Sequence, residues 1–201
     1  MSLPKLILEQ LANPAGLTGR LVLHRLNKAN RGMNELPLRV VPISNTDHAL
    51  EIGFGGGALL DKILSAGPSS VVGVETSDLA IRVVSSRYRH AIGRGKLKLV
   101  RSDAASMPFN DGAFSKIFCV NVIYFWPDVD QVFQELCRVT ATSGQLAMCY
   151  QQRGPDQVIS YNPSQVEQSL IDAGFTSAAT TAGEDKWNDR FYCTVASKTV
   201  E

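Results

Sequence analysis

The sequence predicts an α/β fold: a doubly wound, seven-stranded, mostly parallel sheet with one antiparallel edge strand, plus capping helices at the N-terminus. Three observations predict it. Beyond residue 40, short β-branched runs alternate with segments of helical periodicity. Turn-forming sequences such as Gly-Pro and Asn-Asp-Gly separate these segments. The 201 residues are 44% hydrophobic and 19% charged, which suits one domain with a sizeable core.

The predicted elements follow one another in the order that such a sheet requires. Strands are predicted at 48–52, 70–75, 96–101, 116–122, 145–150, 175–181 and 190–197. Helices are predicted at 58–66, 78–90, 128–140 and 163–173. Strands that alternate with helices form right-handed crossovers, so we expect a parallel sheet covered on both faces. The last two strands have no helix between them, and we expect them to form an antiparallel hairpin at one edge.

The first 36 residues stand apart from this alternation. We assign 1–36 to an N-terminal helical cap and 37–201 to the sheet, within one structural domain overall. The second helical piece of the cap carries an apolar stripe at helical spacing, formed by Val22, Leu26, Ala29 and Met33. Its other side carries His24 and Asn27, with Asn30 adjacent. Because asparagine is a poor helix former, these amides suggest a role beyond solvation, and we expect the cap to cover the ligand-bearing edge of the sheet.

Composition and charge narrow the possible partners and the compartment. A net charge of +1 gives the molecule no overall field that attracts nucleic acid or an anionic membrane. No apolar run approaches the ~18 residues of a membrane span, and the first residues do not resemble a signal peptide. The four cysteines lie at least twelve residues apart, so we interpret them as reduced core residues. These features predict a cytoplasmic protein with no membrane span, no nucleic-acid partner and no metal site.

A glycine-rich turn, 53-GFGGG-57, joins the first predicted strand to the first helix of the sheet. Ligands of open α/β sheets bind beyond the carboxyl ends of the strands, and glycines there let the backbone approach a ligand closely. Gly53, Gly55 and Ala58 fit the dinucleotide pattern G-x-G-x-x-A. Glu75 then follows at the distance expected for a ribose-binding acid.

The same loop fits a second kind of ligand. Glu51 lies two residues before the first glycine and, with Gly57, completes the pattern E-x-G-x-G-x-G. Glu51, Glu75 and Asp103 all fall at the carboxyl ends of adjacent predicted strands. Carboxylates at such positions suit hydroxyl groups, amines and cationic centres, whereas a pyrophosphate would be repelled by Glu51.

The order of motifs along the chain resembles the class I S-adenosylmethionine-dependent methyltransferases. The matching segments are 50-LEIGFGGG-57, 71-VVGVETSD-78, 100-VRSDAASMPFNDGAF-114, 121-NVIYFWPD-128, 135-ELCRVTATSGQLAM-148 and 173-AGF-175. The N-terminal pattern and the run 124-YFWPD-128 are similar to a group of bacterial methyltransferases of undefined substrate. Ser115 departs from the pattern, since many relatives have an aspartate there. The resemblance implies a Rossmann-like methyltransferase fold with S-adenosyl-L-methionine as cofactor.

The resemblance also implies roles for the residues of the glycine loop. Gly53, Phe54 and Gly55 would line the methionyl part of the cofactor. Glu51 would hold the methionyl ammonium group, directly or through water. Gly57 completes the cofactor-binding loop.

Four further segments would contact the rest of the cofactor on the same resemblance. Glu75 would accept hydrogen bonds from both ribose hydroxyls, and Thr76 would pack beside the adenine. Asp103 would bind the adenine amino group, with the Ala104 amide on the ring. Asn121 would reach the methionyl end through its main chain.

The acceptor side offers weaker candidates. Methyl transfer from a sulfonium is an in-line displacement that needs positioning, and it needs a general base only if the acceptor is protonated. Tyr124 and His24 are weak catalytic candidates. Asn27, Asn30, Tyr124 and Trp126 are candidates for contacts with the acceptor. The alternatives are ordinary packing for the two aromatic residues and a solvated helix face for the asparagines.

We therefore predict an S-adenosylmethionine-dependent methyltransferase that acts on a small-molecule acceptor by in-line transfer. The short chain, the near-neutral charge and the helical cap favour a small pocket. Two alternatives stay open. One is an NAD-dependent enzyme of the Rossmann type, and the other is a non-catalytic module that binds the cofactor.

Overall fold

The computed structural model describes residues 14–16, 18–19, 21, 23, 30–152, 160–184 and 190–199. Its strands are β1 (His48–Ile52), β2 (Ser70–Glu75), β3 (Leu97–Arg101), β4 (Phe114–Val120), β5 (Thr140–Tyr150), β6 (Ser177–Glu184) and β7 (Arg190–Lys198). The helices within the described part are α1 (Arg31–Val40), α2 (Ala58–Ala66), α3 (Asp78–Arg87), α4 (Arg89–Gly93), α5 (Val129–Val139) and α6 (Pro163–Asp172), with a 3₁₀ helix at Ile123–Phe125. The predicted order of strands and helices is confirmed.

The seven strands form one sheet in the order β3-β2-β1-β4-β5-β7-β6. Strand β1 pairs in parallel with β2 and β4, and the pairs β2–β3 and β4–β5 are also parallel. Strand β7 is antiparallel to both β5 and β6. The strand order reverses between β1 and β4, which is where open α/β sheets bind ligands. The predicted fold class is confirmed, and the antiparallel strand β7 lies one place in from the edge strand β6.

Helices cover both faces of the sheet around β1. Leu50 and Ile52 pack in the core beneath α5, whereas Ala49 packs in the core beneath α1, α2 and α3. Because successive side chains of a strand point to opposite faces, Glu51 lies on the same face as Ala49. Ala49 and Leu50 are fully buried. A carboxylate within such a buried strand, as at Glu51, therefore calls for a specific reason.

The predicted helix 78–90 is interrupted at Tyr88, and this expectation was wrong in its length. Helix α3 ends before Tyr88, which has φ −105° and ψ 24°, and α4 begins after it. The Tyr88 hydroxyl lies 3.1 Å from both the Gly57 carbonyl oxygen and Asp61 Oδ1. These contacts hold the ring against the start of α2 and favour a break over a continuous helix.

Two strands beside the predicted site begin earlier than expected. Strand β4 begins at Phe114 and ends before Asn121. Strand β5 begins at Thr140, directly after α5, and includes Ser143 with φ 65°. Phe114 pairs with Thr140 and Lys116 with Gln145, so the β4–β5 register shifts between these two pairs. The segment with Ser143 and Gly144, which the sequence predicted as a turn, lies in this irregular part of strand β5.

Ser115 ties together the loop before β1 and the start of β4. Its hydroxyl donates to Asp47 Oδ1 at 2.7 Å and accepts the His48 N–H at 3.0 Å. Burial acts to raise the pKa of Asp47, but hydrogen bonds from Ser44 and Ser115 outweigh it and hold that pKa below its usual range. A carboxylate is therefore present beside position 115 although the residue itself is serine.

The four cysteines are buried and form no disulfide, which agrees with their interpretation as reduced core residues. Cys149 lies opposite Cys193 in the β5–β7 pairing. Among the helices that the structure describes, none is long and apolar enough to cross a membrane.

Candidate active site

The carboxyl ends of β1, β2 and β4 bring the predicted cofactor residues to one edge of the sheet. Glu51 is the penultimate residue of β1, Glu75 is the last residue of β2, and Asn121 directly follows β4. Because β1 lies between β2 and β4, these residues meet at the point where the strand order reverses. Asp103 lies two residues beyond the end of β3, farther along the same edge.

The glycine loop runs from β1 into α2 with backbone angles that side chains disfavour. The φ angles are 68° at Gly53, 48° at Gly55 and 77° at Gly57. At Gly53 there is also no room, because a Cβ would lie 2.3 Å from Val122 Cγ1. The loop thus passes directly against the segment that follows β4, and a residue other than glycine at 53 would push the two apart.

Glu75 is fixed by main-chain hydrogen bonds from both sides of the site. The Gly55 N–H donates to its Oε2 at 3.0 Å. The N–H groups of Thr76 and Ser77 donate to Oε1 at 2.8 and 3.0 Å. The Thr76 hydroxyl lies 3.4 Å from Oε1 as well, so Oε2, which accepts one bond, is the oxygen that can accept a further hydrogen bond. Its position is therefore set before any ligand arrives.

Glu51 differs from Glu75 because it lacks such support. It is 4% exposed, and its Oε2 is, among the described residues, the one buried side-chain polar atom without a hydrogen-bond partner. Burial raises the pKa of Glu51 well above its usual range, and the neighbouring Glu75 charge raises that pKa further. Buried polar groups normally have partners, so this carboxyl is explained best by a group that binds beside it.

Asn121 stands at the centre of a hydrogen-bonded chain of side chains. It has φ 56°, unusual for a residue other than glycine, and its N–H donates to the Cys149 carbonyl at 2.9 Å. Its Nδ2 donates to Asn30 Oδ1 at 2.8 Å. The Tyr124 hydroxyl lies 3.3 Å from Asn121 Oδ1. This chain connects the N-terminal segment to the end of β4.

The Tyr124 hydroxyl is engaged on the protein side. It lies 3.0 Å from the Gln151 carbonyl oxygen, to which it can donate, and it accepts the Gln151 N–H. Burial raises the pKa of Tyr124 above its usual value. A tyrosine that stays protonated is a poor base near neutral pH, so the geometry favours a positioning role.

Other predicted residues differ in what they can offer a ligand. The Phe54 ring is buried against Gly73, where a Cβ would lie 2.7 Å from Phe54 Cδ1, so Phe54 can present only its main chain. Asp103 is exposed, and its Oδ1 accepts the Ala105 N–H at 2.8 Å. Thr76 is exposed, while Ala104 is buried.

Trp126 packs on the helix that follows it. Its ring meets that of Phe133 on α5 edge to face, with centroids 6.2 Å apart. The side chain is only partly buried. This contact favours a packing role for Trp126, the alternative to contact with the acceptor.

Three contacts place described parts of the N-terminal segment at this edge of the sheet. The Ser77 hydroxyl donates to the Pro14 carbonyl at 2.8 Å. Leu23 is buried, and its Cδ2 would lie 3.8 Å from a Cβ at Gly55. Asn30 is the third contact, through Asn121. His24 and Asn27, the other candidates of the predicted cap, lie outside the described residues.

The motif order and the geometry agree with a family comparison. A family model described as "Methyltransferase domain" matches residues 50–148, from β1 into β5. Residues 50–148 carry a methyltransferase domain. The matched segment contains the glycine loop together with Glu51, Glu75, Asp103 and Asn121.

Relatives of this methyltransferase domain are named for different substrates, among them 27-O-demethylrifamycin SV and a sterol. Methyltransferase GfsG of Streptomyces halstedii is 26% identical over 61% of this chain and 44% of that protein. The 27-O-demethylrifamycin SV methyltransferase of Amycolatopsis mediterranei is 23% identical over 61% of this chain and 45% of that protein. The alignments thus span less than half the length of these curated relatives.

A solved structure shares the fold of the methyltransferase domain. Phospholethanolamine N-methyltransferase 2 of Haemonchus contortus, in complex with S-adenosylhomocysteine, superimposes with a TM-score of 0.72 at 18% identity. The superposition covers 85% of this chain and 53% of that one. The likeness confirms the Rossmann-like methyltransferase fold.

The described residues fit S-adenosylmethionine, the cofactor of this class, and the predicted cofactor is confirmed for the domain. The unpartnered Glu51 carboxyl suits an ammonium group. The fixed Glu75 carboxylate suits ribose hydroxyls. The crowded backbone at Gly53 suits a ligand that approaches the main chain.

Sequence reasoning missed three residues of the site. Val122 limits residue 53 to glycine, Gln151 holds the Tyr124 hydroxyl, and Ser77 holds the Pro14 carbonyl. A signal existed for Gln151, because it follows the fifth strand at the ligand edge. The Ser77 contact spans 63 residues and leaves no local pattern.

Proposed function

We propose that this protein transfers a methyl group from S-adenosylmethionine to a small-molecule acceptor by in-line displacement. The observation that carries the proposal is the pair of carboxyl groups at the glycine loop. One is fixed by three main-chain N–H groups, and the other is buried with an oxygen, Oε2, that has no partner among the described residues. S-adenosylmethionine has a partner for each carboxyl: a ribose hydroxyl for the fixed one and the methionyl ammonium for the unpartnered one. An ammonium group can pair with the Glu51 carboxyl once that carboxyl ionises, whereas a pyrophosphate would be repelled by the ionised pair, which argues against the NAD-dependent alternative.

Each part of the site has a proposed role toward the cofactor. Glu75 Oε2 accepts a hydrogen bond from a ribose hydroxyl, and Glu51 pairs with the methionyl ammonium. Asp103 and Ala104 contact the adenine, with Thr76 beside it. When bound, S-adenosylmethionine supplies a methyl group activated by its sulfonium.

The remaining groups position the reactants and exclude water. The glycine loop presents main chain, including that of Phe54, to the methionyl part. Asn121 holds the end of β4 in a left-handed turn, and Tyr124 keeps that turn against β5 through Gln151. Holding nucleophile, methyl carbon and sulfur in line is the main requirement of such a displacement.

The acceptor is proposed to be a small molecule and not a nucleic acid. The net charge of +1 supplies no field for a polyanion. A relative named for 27-O-demethylrifamycin SV acts, by that name, on a small molecule. The N-terminal segment reaches the site through Leu23 and Asn30, which narrows the space beside the glycine loop. Asn30, together with Asn27 and His24, remains a candidate for contact with the acceptor.

Two experiments test the proposal. Incubation of the protein with methyl-labelled S-adenosylmethionine and fractionated cell metabolites should place label in a low-molecular-weight product. Thermal unfolding with S-adenosylhomocysteine or with NAD should show stabilisation by the first and none by the second. Stabilisation by NAD alone would contradict the proposal. Stabilisation by the nucleoside without any labelled product would favour a non-catalytic binding module.

A further inference from the structure

Glu51 is the feature of the site that the protein alone does not explain. The residue is 4% exposed, and within the described part of the chain its Oε2 has no hydrogen-bond partner. An isolated ionised carboxylate in such a place costs several kcal/mol, and proteins commonly avoid the cost by keeping the group neutral. Glu75 on the neighbouring strand offsets the cost of burial in another way, because its carboxylate accepts hydrogen bonds from three main-chain N–H groups.

The groups around Glu51 make its ionised form still less favourable. Its register partners on β2 and β4 are Gly73 and Phe118, which carry no charge. Among the described residues, the titratable groups that interact with it electrostatically are Glu75 on β2 and the Cys119 thiol on β4. Burial raises the pKa of Cys119, so this thiol stays neutral near physiological pH. Neither neighbour offers a compensating positive charge.

We propose that Glu51 is a neutral carboxylic acid in the ligand-free protein and releases its proton when a ligand ammonium group binds beside it. The proposal rests on the proposed function. The O–H bond of the Glu51 carboxyl breaks, the proton passes to solvent, and the resulting carboxylate pairs with an ammonium that arrives already protonated. Cofactor binding and ionisation of Glu51 are then one coupled event.

This coupling has a direct consequence for affinity. Where Glu51 is neutral in the free protein and ionised in the complex, binding releases about one proton and affinity rises about tenfold for each pH unit. The rise ends once Glu51 is ionised in the free protein as well. A nucleoside that lacks the amino-acid end gives Glu51 no cation, so its binding should release no proton.

The test is calorimetric titration of the whole protein at about pH 6.5, where an α-amino group is protonated. S-adenosylhomocysteine is titrated in two buffers, one of low and one of high ionisation enthalpy. The difference in observed heat should correspond to release of about one proton per ligand. 5′-Methylthioadenosine, which carries the same nucleoside without the amino-acid end, should show almost no buffer dependence.

The Glu51→Gln variant provides the second arm. It keeps the shape of the side chain and removes the titrating group, so proton release should disappear and affinity should not change between pH 6 and pH 7, where the ligand's α-amino group stays protonated. Buffer-independent heats for S-adenosylhomocysteine with the wild-type protein would overturn the proposal. Proton release that persists in the variant would overturn it as well. If the variant fails to fold, the two ligands on the wild-type protein still decide.

The outcomes separate this inference from the proposed function. Binding of S-adenosylhomocysteine without proton release leaves the proposed function standing and removes only the inference. Absence of binding in both buffers contradicts the proposed function and the inference with it.

Discussion

Replacing Gly53 with alanine should cost far more than the same change two residues later. Both positions have a left-handed φ, 68° at Gly53 and 48° at Gly55. The left-handed backbone alone costs an alanine about 1–2 kcal/mol. At Gly53 the new Cβ would also lie 2.3 Å from Val122 Cγ1, whereas at Gly55 its nearest neighbour is Leu23 Cδ2 at 3.8 Å. Overpacking of this kind adds about 1–3 kcal/mol, so Gly53→Ala should lose about 2–5 kcal/mol in total.

Val122 allows the clash to be isolated. After Val122→Ala, the nearest atom to a Cβ at Gly53 would be the Cβ of residue 122, at 3.4 Å, which is close to ordinary contact. Denaturant unfolding of Gly53→Ala, Val122→Ala and the double variant should therefore show a favourable coupling of about 1–3 kcal/mol between the two changes. Gly55→Ala is the matched control and should show no coupling with Val122→Ala. Equal losses at Gly53 and Gly55, or no coupling at Gly53, would refute the reasoning.

Three other predictions test separate parts of the structure. Hydrogen bonds from Arg138, with a further bond from the Met107 N–H, hold the pKa of Glu135 below its usual range, so the pair stabilises the fold above the unfolded-state pKa of Glu135 and loses that effect as pH falls through the lower folded-state pKa. In Glu135→Gln, the free energy of unfolding should therefore depend less on pH on the acid side, and an unchanged pH dependence there would contradict this. Asn30→Ala removes the oxygen that accepts the hydrogen bond from Asn121 Nδ2, so it should raise the Michaelis constant for the methyl acceptor or slow turnover, with a melting temperature near that of the wild type. Unchanged kinetics would show that Asn30 has no role in the site. Ser77→Ala removes both the cap on the Ala80 N–H and the hydrogen bond to the Pro14 carbonyl, so it should lower the free energy of unfolding by about 1–2 kcal/mol and speed limited proteolysis of the N-terminal segment. A proteolysis rate equal to that of the wild type would contradict a role of Ser77 in holding this segment.

The sequence predicted the strand bounds best where turn residues flank both ends. The bounds of β1, β2 and α2 agree with the expectation, because glycine, proline and acidic residues mark where each element stops. The order of the motifs also predicted the family and its cofactor. Strand β5 was predicted to begin five residues too late, because Ser143 and Gly144 suggested a turn. In the structure these two residues belong to β5, which also pairs with β4 on the N-terminal side of them.

The sequence could not predict how the site residues contact one another. Asn121 meets Asn30 across 91 positions of the chain, and Tyr124 meets Gln151 across 27. Such contacts depend on the packing of whole elements and leave no periodic signal. The left-handed backbone at Asn121 is likewise a product of its surroundings, because it lies just where β4 ends and its N–H bonds β5.

The most direct measurement is a crystal structure of the protein with S-adenosylhomocysteine. The ligand ammonium is expected within hydrogen-bond distance of Glu51 Oε2, and a ribose hydroxyl is expected to meet Glu75 Oε2. The glycine loop is also expected to keep its backbone angles, since Glu75 is held before any ligand binds. A nucleoside bound elsewhere, or bound here with the Glu51 carboxyl still lacking a partner, would contradict the account.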